Sequence, residues 1–197
     1  MKRKELEQLE IDLLLEAILR RYGYDYRNYA PASLRRRVAQ RMKRSGLTRI
    51  SDVLSKLLHE SEFFEEFLMD MSVTVTDVFR DPQFFLAFRQ HVVPVLQTYP
   101  FIKVWHAGCA TGEEVYSMAI LLKEEGLYDR SQIYATDVNP ASLDQARQGI
   151  YPAQDVEKYA ANYIKAGGKA SLADYYHAQY GHLKMSASLT ENVVFSQ

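Results

Sequence analysis

The chain has 197 residues, with 24 Lys or Arg against 25 Asp or Glu, and its formal net charge is -1. A composition of 47% hydrophobic and 25% charged residues excludes collagen-like and mostly disordered chains. The single cysteine excludes a disulfide framework and a cysteine-rich zinc site, and we expect no metal. No apolar run approaches the roughly 20 residues of a membrane helix. The N-terminal pattern is amphipathic, so we expect a cytoplasmic protein that does not insert into a membrane.

The first 72 residues show helical periodicity. Apolar residues at positions 6, 9, 13 and 17 predict a first helix that ends near Gly23. Pro31 begins a second predicted helix, which Gly46 ends, and apolar patterns over 50–58 and 63–71 predict two more. Because no strand pattern interrupts them, we predict a small helical domain over residues 1–72.

The second predicted helix is strongly basic. From Arg27 to Arg49 there are eight basic residues and no acid. Its apolar residues form only a narrow stripe, so the arginines occupy the rest of the circumference and form a face that attracts acidic partners. The arginines of this face that we expect to dock a partner are Arg35, Arg36, Arg37 and Arg41.

After residue 72 the pattern changes to alternating helices and strands. Asp81 before Pro82 predicts a helix start, and Pro94 should kink that helix near its end. Strand-like runs follow at 101–106 and 132–136, with a glycine turn and an apolar helix after the first. The second leads to an acid and a helix that Asn139 begins and Gly149 ends. This order is typical of a parallel nucleotide-binding sheet. A third candidate strand lies at 192–195, and 170–180 predicts a helical insert.

The glycine turn over 108–114 is the first candidate for chemistry. Glycines between a strand and a helix let a ligand approach the backbone, and the helix N-terminus favours a negative group such as a carboxylate. The spacing of Gly108 and Gly112 differs from the dinucleotide fingerprint. A structural interpretation also stays open, because Thr111 and Glu114 fit a capping box at the helix start.

Asp137 and Arg80 are further candidates. An acid at the end of the second strand can accept hydrogen bonds from ribose hydroxyl groups. The alternative is an acid that caps the next helix, and Asn139 already supplies that cap, so ribose binding is favoured. Residues 74–80 are predicted to form a loop in which Arg80 is a surface cation. Arg80 becomes a candidate for the site only if this loop folds over the glycine turn.

Four motifs occur together in order: Thr-Asp-Val-Phe-Arg-Asp at 76–81, Val-Trp-His-Ala-Gly-Cys-Ala-Thr-Gly-Glu-Glu-Val-Tyr-Ser at 104–117, Ala-Thr-Asp-Val-Asn at 135–139, and Ala-Arg-Gln-Gly-Ile-Tyr at 146–151. In these motifs the chain resembles the chemoreceptor glutamate methyltransferases, the CheR family. The resemblance implies an α/β fold, with a small N-terminal helical domain before a partial Rossmann-like methyltransferase domain at 73–197. It also implies S-adenosylmethionine as cofactor, S-adenosylhomocysteine as product, and methyl esterification of glutamates on the cytoplasmic helices of chemotaxis receptors.

The resemblance implies roles for individual residues. Arg80 would meet the methionine carboxylate of the cofactor, Glu114 its amino group, and Asp137 its ribose. Thr74 stands where some members carry an asparagine that contacts the cofactor. The complete set of implied cofactor-binding residues is Thr74, Thr76, Arg80, Gly108, Glu114 and Asp137. Transfer is direct, so Cys109 is expected to be a packed side chain and not a nucleophile.

The chain also departs from the family. Members continue past the position of Gln197 into a segment that holds the adenine and into further strands, so the chain resembles a copy truncated at its C-terminus. We expect this copy, as a monomer, to show negligible methyl transfer to receptors and at best weak affinity for the cofactor. The alternative is that two chains complement each other or that a partner chain supplies the missing strands. Exposed apolar strand edges near Val104 and Ile133 would favour self-association.

The reaction requires no catalytic acid or base, because a glutamate side chain is already a carboxylate at neutral pH. We therefore expect no catalytic residue. The five histidines, which we expect to be structural or exposed, are His59, His91, His106, His177 and His182.

Three functions compete. The favoured one is a receptor methyltransferase whose basic helix docks acidic receptor helices. The second is a truncated, non-catalytic receptor-binding module. The third, a nucleic-acid surface on the arginine-rich helix, is disfavoured because no aromatic residues are interleaved with the arginines and no nucleic-acid motif occurs.

Overall fold

The computed structural model describes residues 3–71 and 76–197. The chain divides into two compact units, residues 1–72 and 73–197. Among the described residues, no helix has both the length and the apolar character needed to cross a bilayer. The two units are described separately below.

The first unit is helical, as the periodicity predicts. Its first two helices end just before glycines that adopt positive φ angles, Gly23 and Gly46. One face of each helix contributes to a core that includes Leu14, Val53 and Phe67, all fully buried. The four helices are α1 (Arg3–Tyr22), α2 (Pro31–Arg44), α3 (Ile50–His59) and α4 (Ser61–Met71).

The second unit combines helices with two small sheets. Its described residues, 76–197, form five α-helices: α5 (Pro82–Ala87), α6 (Val93–Leu96), α7 (Glu113–Glu124), α8 (Pro140–Gln148) and α9 (Val156–Lys165). The same residues form six strands: β1 (Ile102–Ala107), β2 (Ser131–Thr136), β3 (Ile150–Pro152), β4 (Tyr176–Gln179), β5 (His182–Met185) and β6 (Val193–Ser196). With the helical unit before it, this arrangement confirms the predicted fold class.

The first sheet of this unit is parallel and has the strand order β1-β2-β6. The third candidate strand of the sequence is thus confirmed as β6. Helix α7 packs against one face of the sheet, and every residue from Val115 to Leu122 is buried. Over these residues the helix is buried on all sides, and its neighbours include β2 and the 3₁₀ turns at Tyr128–Arg130 and Ala187–Leu189. The carboxyl ends of β1 and β2 lie side by side, so the turns that follow them meet.

The opposite side of the parallel sheet carries an exposed row of apolar residues. Trp105 pairs in register with Tyr134, which pairs in turn with Val194. Their exposed fractions are 70%, 37% and 45%, and we call these three residues the outer face. The prediction that Ile133 would be exposed is wrong: Ile133 is fully buried, because β2 is the central strand and alternation turns Ile133 toward the core.

The second sheet is antiparallel, with the order β3-β5-β4. The predicted helical insert at 170–180 is therefore wrong. Only one 3₁₀ turn forms there, at Leu172–Tyr175, and the chain then enters β4. Tyr180 and Gly181 both have positive φ angles, 50° and 74°, and make a two-residue hairpin turn of the kind that suits twisted strands. Tyr-Gly is a weak turn signal in sequence, which explains the error.

Helix α5 begins as predicted, because the Asp81 side chain accepts a hydrogen bond from the Phe84 N–H. A π-helical turn, Phe88–Val92, separates α5 from α6. It lies just before Pro94, whose ring lacks an N–H and would clash with the carbonyl of the preceding turn. The predicted disturbance near Pro94 is thus confirmed, and its form is a π turn.

Candidate functional site

The glycine turn closes over the ends of β1 and β2. The N–H groups of Gly108 and Cys109 both donate to the carbonyl of Thr136, at 2.8 and 2.9 Å. Gly108 has a φ of +82°, and the space beside its Cα is open, so a ligand can approach the backbone there. Gly112 has a φ of +93°, and a Cβ at this position would lie 2.8 Å from that of Ala146. Gly112 therefore lets α7 and α8 pack closely.

Asp137 follows β2 and faces this turn. Its Oδ2 accepts a hydrogen bond from the N–H of Ala110 at 2.8 Å, and its Oδ1 accepts one from the N–H of Asn139 at 2.8 Å. A carboxylate offers about four acceptor positions, so both oxygens can accept one more donor. Asn139 caps α8 as predicted, with its side chain accepting from the N–H groups of Ala141 and Ser142. The sequence did not indicate that Asp137 also stabilises the glycine turn, through its hydrogen bond with the N–H of Ala110.

Glu114 lies in the first turn of α7, but it forms no capping box. The N-cap of α7 is Gly112, which has no side chain, and Thr111 donates instead to Oε2 of Glu113 at 2.6 Å. Oε1 of Glu114 lies 3.0 Å from Nδ1 of His106. This hydrogen bond is the largest cause that lowers the pKa of Glu114, and the charge of Arg80 lowers it further. The structural interpretation of Glu114 as a cap is therefore wrong.

The loop before α5 folds onto α7 and brings Arg80 to the site. The N–H of Phe79 donates to Oγ of Ser117 in α7 at 2.8 Å, and the buried Phe79 ring packs edge-on against Phe85. Phe79 has a positive φ of 49°, which is uncommon for a residue with a large side chain. The described part of the loop, residues 76–80, thus packs against α7, the helix that follows the glycine turn.

Arg80 and Glu114 line the same cavity. Its volume is about 400 Å³, and its walls are formed by Arg80, Asp81, Phe84, Phe85 and Glu114. A cation and an anion thus share one cavity, which suits a ligand that carries both charges. Thr76 is half-buried in the loop that precedes Arg80. Thr74 lies outside the described residues.

Two buried groups flank the turn. Glu113 is only 6% exposed, and burial raises the pKa of its carboxyl group. Burial, together with the charge of Asp137, raises the pKa of the Cys109 thiol to about 11. A thiol with so high a pKa is a poor nucleophile at neutral pH, in keeping with the expectation that Cys109 is a packed side chain.

The basic helix α2 presents only part of its predicted face. Arg35 and Arg36 are exposed, whereas Arg37 is half-buried and donates to the Asp70 carbonyl at 2.7 Å. Arg41 differs most from the expectation. It is buried, pairs with Asp70 at 2.5 Å and also pairs with Glu66, so no partner can reach it. These acids belong to α4, and their charges compensate a cation that the sequence suggested was exposed.

Sequence reasoning also missed His106. The side chain of His106 is 6% exposed, and its only hydrogen bond recorded among the described residues joins it to Glu114. The two residues are eight positions apart, on either side of the glycine turn. The alternation of β1, which places His106 on the same buried face as Ile102, could have indicated an inward ring.

Known proteins resemble both units. The family described as CheR methyltransferase, SAM binding domain, matches residues 74–197, and CheR methyltransferase, all-alpha domain, matches residues 9–72. Cher3 of Pseudomonas putida is 50% identical over 188 residues, which cover 95% of this chain and 69% of that protein.

More distant relatives carry the name chemotaxis protein methyltransferase. That of Listeria monocytogenes is 26% identical, over 78% of this chain and 60% of its own length. That of Escherichia coli is 26% identical, over 79% of this chain and 55% of its own length. The chain thus spans little more than half of these two proteins.

Proposed function

Because this chain belongs to the CheR methyltransferase family, with S-adenosylmethionine as the cofactor of its second unit, we propose that it methylates glutamate side chains of chemotaxis receptors. The observation that carries the proposal is the cavity that Arg80 and Glu114 share. The methionine part of the cofactor is a zwitterion, and the walls of this cavity carry groups of both charges: the cation Arg80 and the anions Asp81 and Glu114.

The described residues fit this cofactor. Arg80 would hold the carboxylate of the methionine part through its planar pair of donors, and Glu114 would hold the ammonium group. Asp137 would accept hydrogen bonds from the ribose, since both of its oxygens keep acceptor capacity after binding the backbone. The open backbone at Gly108 leaves space for close approach.

The chain's residues would act by binding and orientation. S-adenosylmethionine supplies a methyl group that is activated by its positive sulfonium. Residues of the cavity would fix this group in line with the carboxylate of the substrate and keep water away, which can lower the barrier without a proton transfer. A glutamate has a usual pKa of about 4.3 and needs no base to become a nucleophile.

The exposed part of α2 supports the proposed substrate. Arg35 and Arg36 are exposed and would attract the acidic cytoplasmic helices of a receptor. Such an attraction weakens as salt is added, because surface charges are screened. Two relatives are named chemotaxis protein methyltransferases, which fits a receptor substrate and a reaction in the cytoplasm.

The test is transfer of a labelled methyl group from S-adenosylmethionine to the cytoplasmic fragment of a chemotaxis receptor. We expect base-labile label on the fragment at chain concentrations at which two copies associate, and none on a matched fragment whose methylatable glutamates are replaced by glutamine. Label on the glutamine fragment, or on neither, would contradict the proposal.

A second candidate is a non-catalytic receptor-binding module. The observation that favours it is the outer face, since a parallel sheet in an enzyme of this type is normally covered on both sides. Calorimetry with S-adenosylhomocysteine separates the two candidates. A module would bind the receptor fragment in a salt-sensitive way but release no heat with this ligand.

A further inference from the structure

We propose that His106 is a positioning residue that holds the carboxylate of Glu114 in place for the cofactor's ammonium group. The inference rests on the proposed function, because it concerns the same site. It starts from the 3.0 Å contact between Nδ1 of His106 and Oε1 of Glu114.

The exposure of the two partners is unequal. The side chain of His106 is 6% exposed, whereas that of Glu114 is 60% exposed. An ion pair or hydrogen bond to so exposed a carboxylate adds little to the stability of a fold. A glutamate at the surface would otherwise sample several rotamers, so the bond chiefly fixes the direction of the carboxylate.

The second ring nitrogen points to the same role. Nε2 of His106 is buried and has no hydrogen-bond partner among the described residues. An ionised carboxylate can only accept, so Nδ1 of His106 is the donor, and Nε2 has no partner whether it carries a proton or not. A buried polar atom without a partner costs stability. A histidine at position 106 therefore lowers the stability of the fold, and its one side-chain hydrogen bond contributes to the cofactor site instead.

The charge of Arg80 explains why the Glu114 carboxylate needs a neighbouring residue that fixes its direction. Arg80 lines the same cavity as Glu114 and acts on it electrostatically. Without a third group, the carboxylate would be drawn toward the guanidinium, and a ligand would first have to separate them. The bond from His106 competes with that attraction and leaves Oε2 of Glu114 for the ligand.

The experiment measures S-adenosylhomocysteine affinity by calorimetry and thermal unfolding of the full chain without ligand. In His106→Leu, and in the ring-shaped alternative His106→Phe, we expect about tenfold weaker binding, the usual effect of losing one hydrogen bond to a charged group. The melting temperature should stay unchanged or rise, because the unpartnered nitrogen is removed. In His106→Asn, whose amide nitrogen takes about the position of Nδ1, most of the affinity should return.

A double-mutant cycle completes the test. In a Glu114→Gln background, His106→Leu should cause no further loss of affinity, because its effect passes through Glu114. Additive losses, or a lower melting temperature with unchanged affinity in His106→Leu and His106→Phe, would overturn the inference. If Glu114→Gln binds like the parent chain, or the parent does not bind, the proposed function fails as well. A loss in Glu114→Gln without one in the His106 variants overturns this inference alone.

Discussion

The guanidinium of Arg80 offers two parallel donors in a plane, which the ammonium group of a lysine cannot reproduce. We therefore expect Arg80→Lys to weaken S-adenosylhomocysteine binding about tenfold although the charge is kept. Calorimetry measures the change. Arg130→Lys is the matched control, because Arg130 does not line the cavity that Arg80 shares with Glu114. It is half-buried and, among the described residues, donates only to the carbonyl groups of Gln97 and Tyr99. Parent-like affinity in Arg80→Lys would make Arg80 an ordinary surface cation.

Asp137 combines a ligand role with a structural one. Asp137→Ala should weaken S-adenosylhomocysteine binding more than Asp155→Ala, because only Asp137 lies at the end of β2 beside the glycine turn. It should also lower the free energy of unfolding by about 2 kcal/mol, since the N–H groups of Ala110 and Asn139 lose their acceptor. Asp155 makes no side-chain cap bond to α9 and is a fair control. Equal affinities of the two variants would remove the ribose assignment.

The junction of α7 and α8 depends on the absence of a side chain at Gly112. In Gly112→Ala we expect the free energy of unfolding to fall by about 2 to 4 kcal/mol, from the left-handed backbone and from overpacking against Ala146. Chemical denaturation measures this change. Gly126→Ala has a similar backbone but open space, so it should cost only about 1 kcal/mol. Equal costs for both variants would show that α7 and α8 can separate freely.

The arginines of α2 have two different roles, because some stabilise the fold and others are exposed for binding. Arg41→Ala removes one of the two cations that pair with the buried Asp70 carboxylate and leaves only Arg44, so it should lower the free energy of unfolding by about 1.5 to 3 kcal/mol. Arg36→Ala should change stability by less than about 0.5 kcal/mol and weaken binding of an acidic receptor fragment instead. Denaturant unfolding and a salt-dependent binding assay test the pair. A stable Arg41→Ala variant with poor receptor binding would restore Arg41 to the docking face.

Local patterns could predict most elements of both units. Three helices end before a glycine with a left-handed backbone, at Gly23, Gly46 and Gly149. Asn139 caps the start of α8. These boundaries can therefore be predicted from single residues. The hairpin at Tyr180 could not be predicted, because its two strands have only four residues each and β5 also pairs with the distant β3.

Tertiary pairing determined what sequence reasoning missed in the candidate site. A helical wheel places Arg41 at the edge of a basic face, and only the acids of α4, 25 and 29 residues away, explain why it is buried. His106 and Glu114 meet because the glycine turn reverses the chain between them. The motifs thus identified Arg80, Glu114 and Asp137 as candidates, but not the groups that hold them.

At the scale of the whole molecule, we expect the outer face to govern how the chain behaves in solution. Trp105, Tyr134 and Val194 form an exposed apolar row across the parallel sheet, and such surfaces favour association. If two chains associate, we expect the contact at this face and not at the strand edge near Ile133 that the sequence suggested.

The outer face also supplies an optical reporter, because Trp105 is the only tryptophan of the chain. We expect its emission in dilute solution to resemble that of free tryptophan in water and to be quenched readily by acrylamide, since the residue is 70% exposed. When two chains associate, or a partner covers the sheet, the emission should shift to the blue and quenching should fall. A blue emission that resists quenching at every dilution would show that the indole is already covered. The intrinsic fluorescence of the protein can therefore report, without a dye, whether the outer face is exposed to solvent or covered.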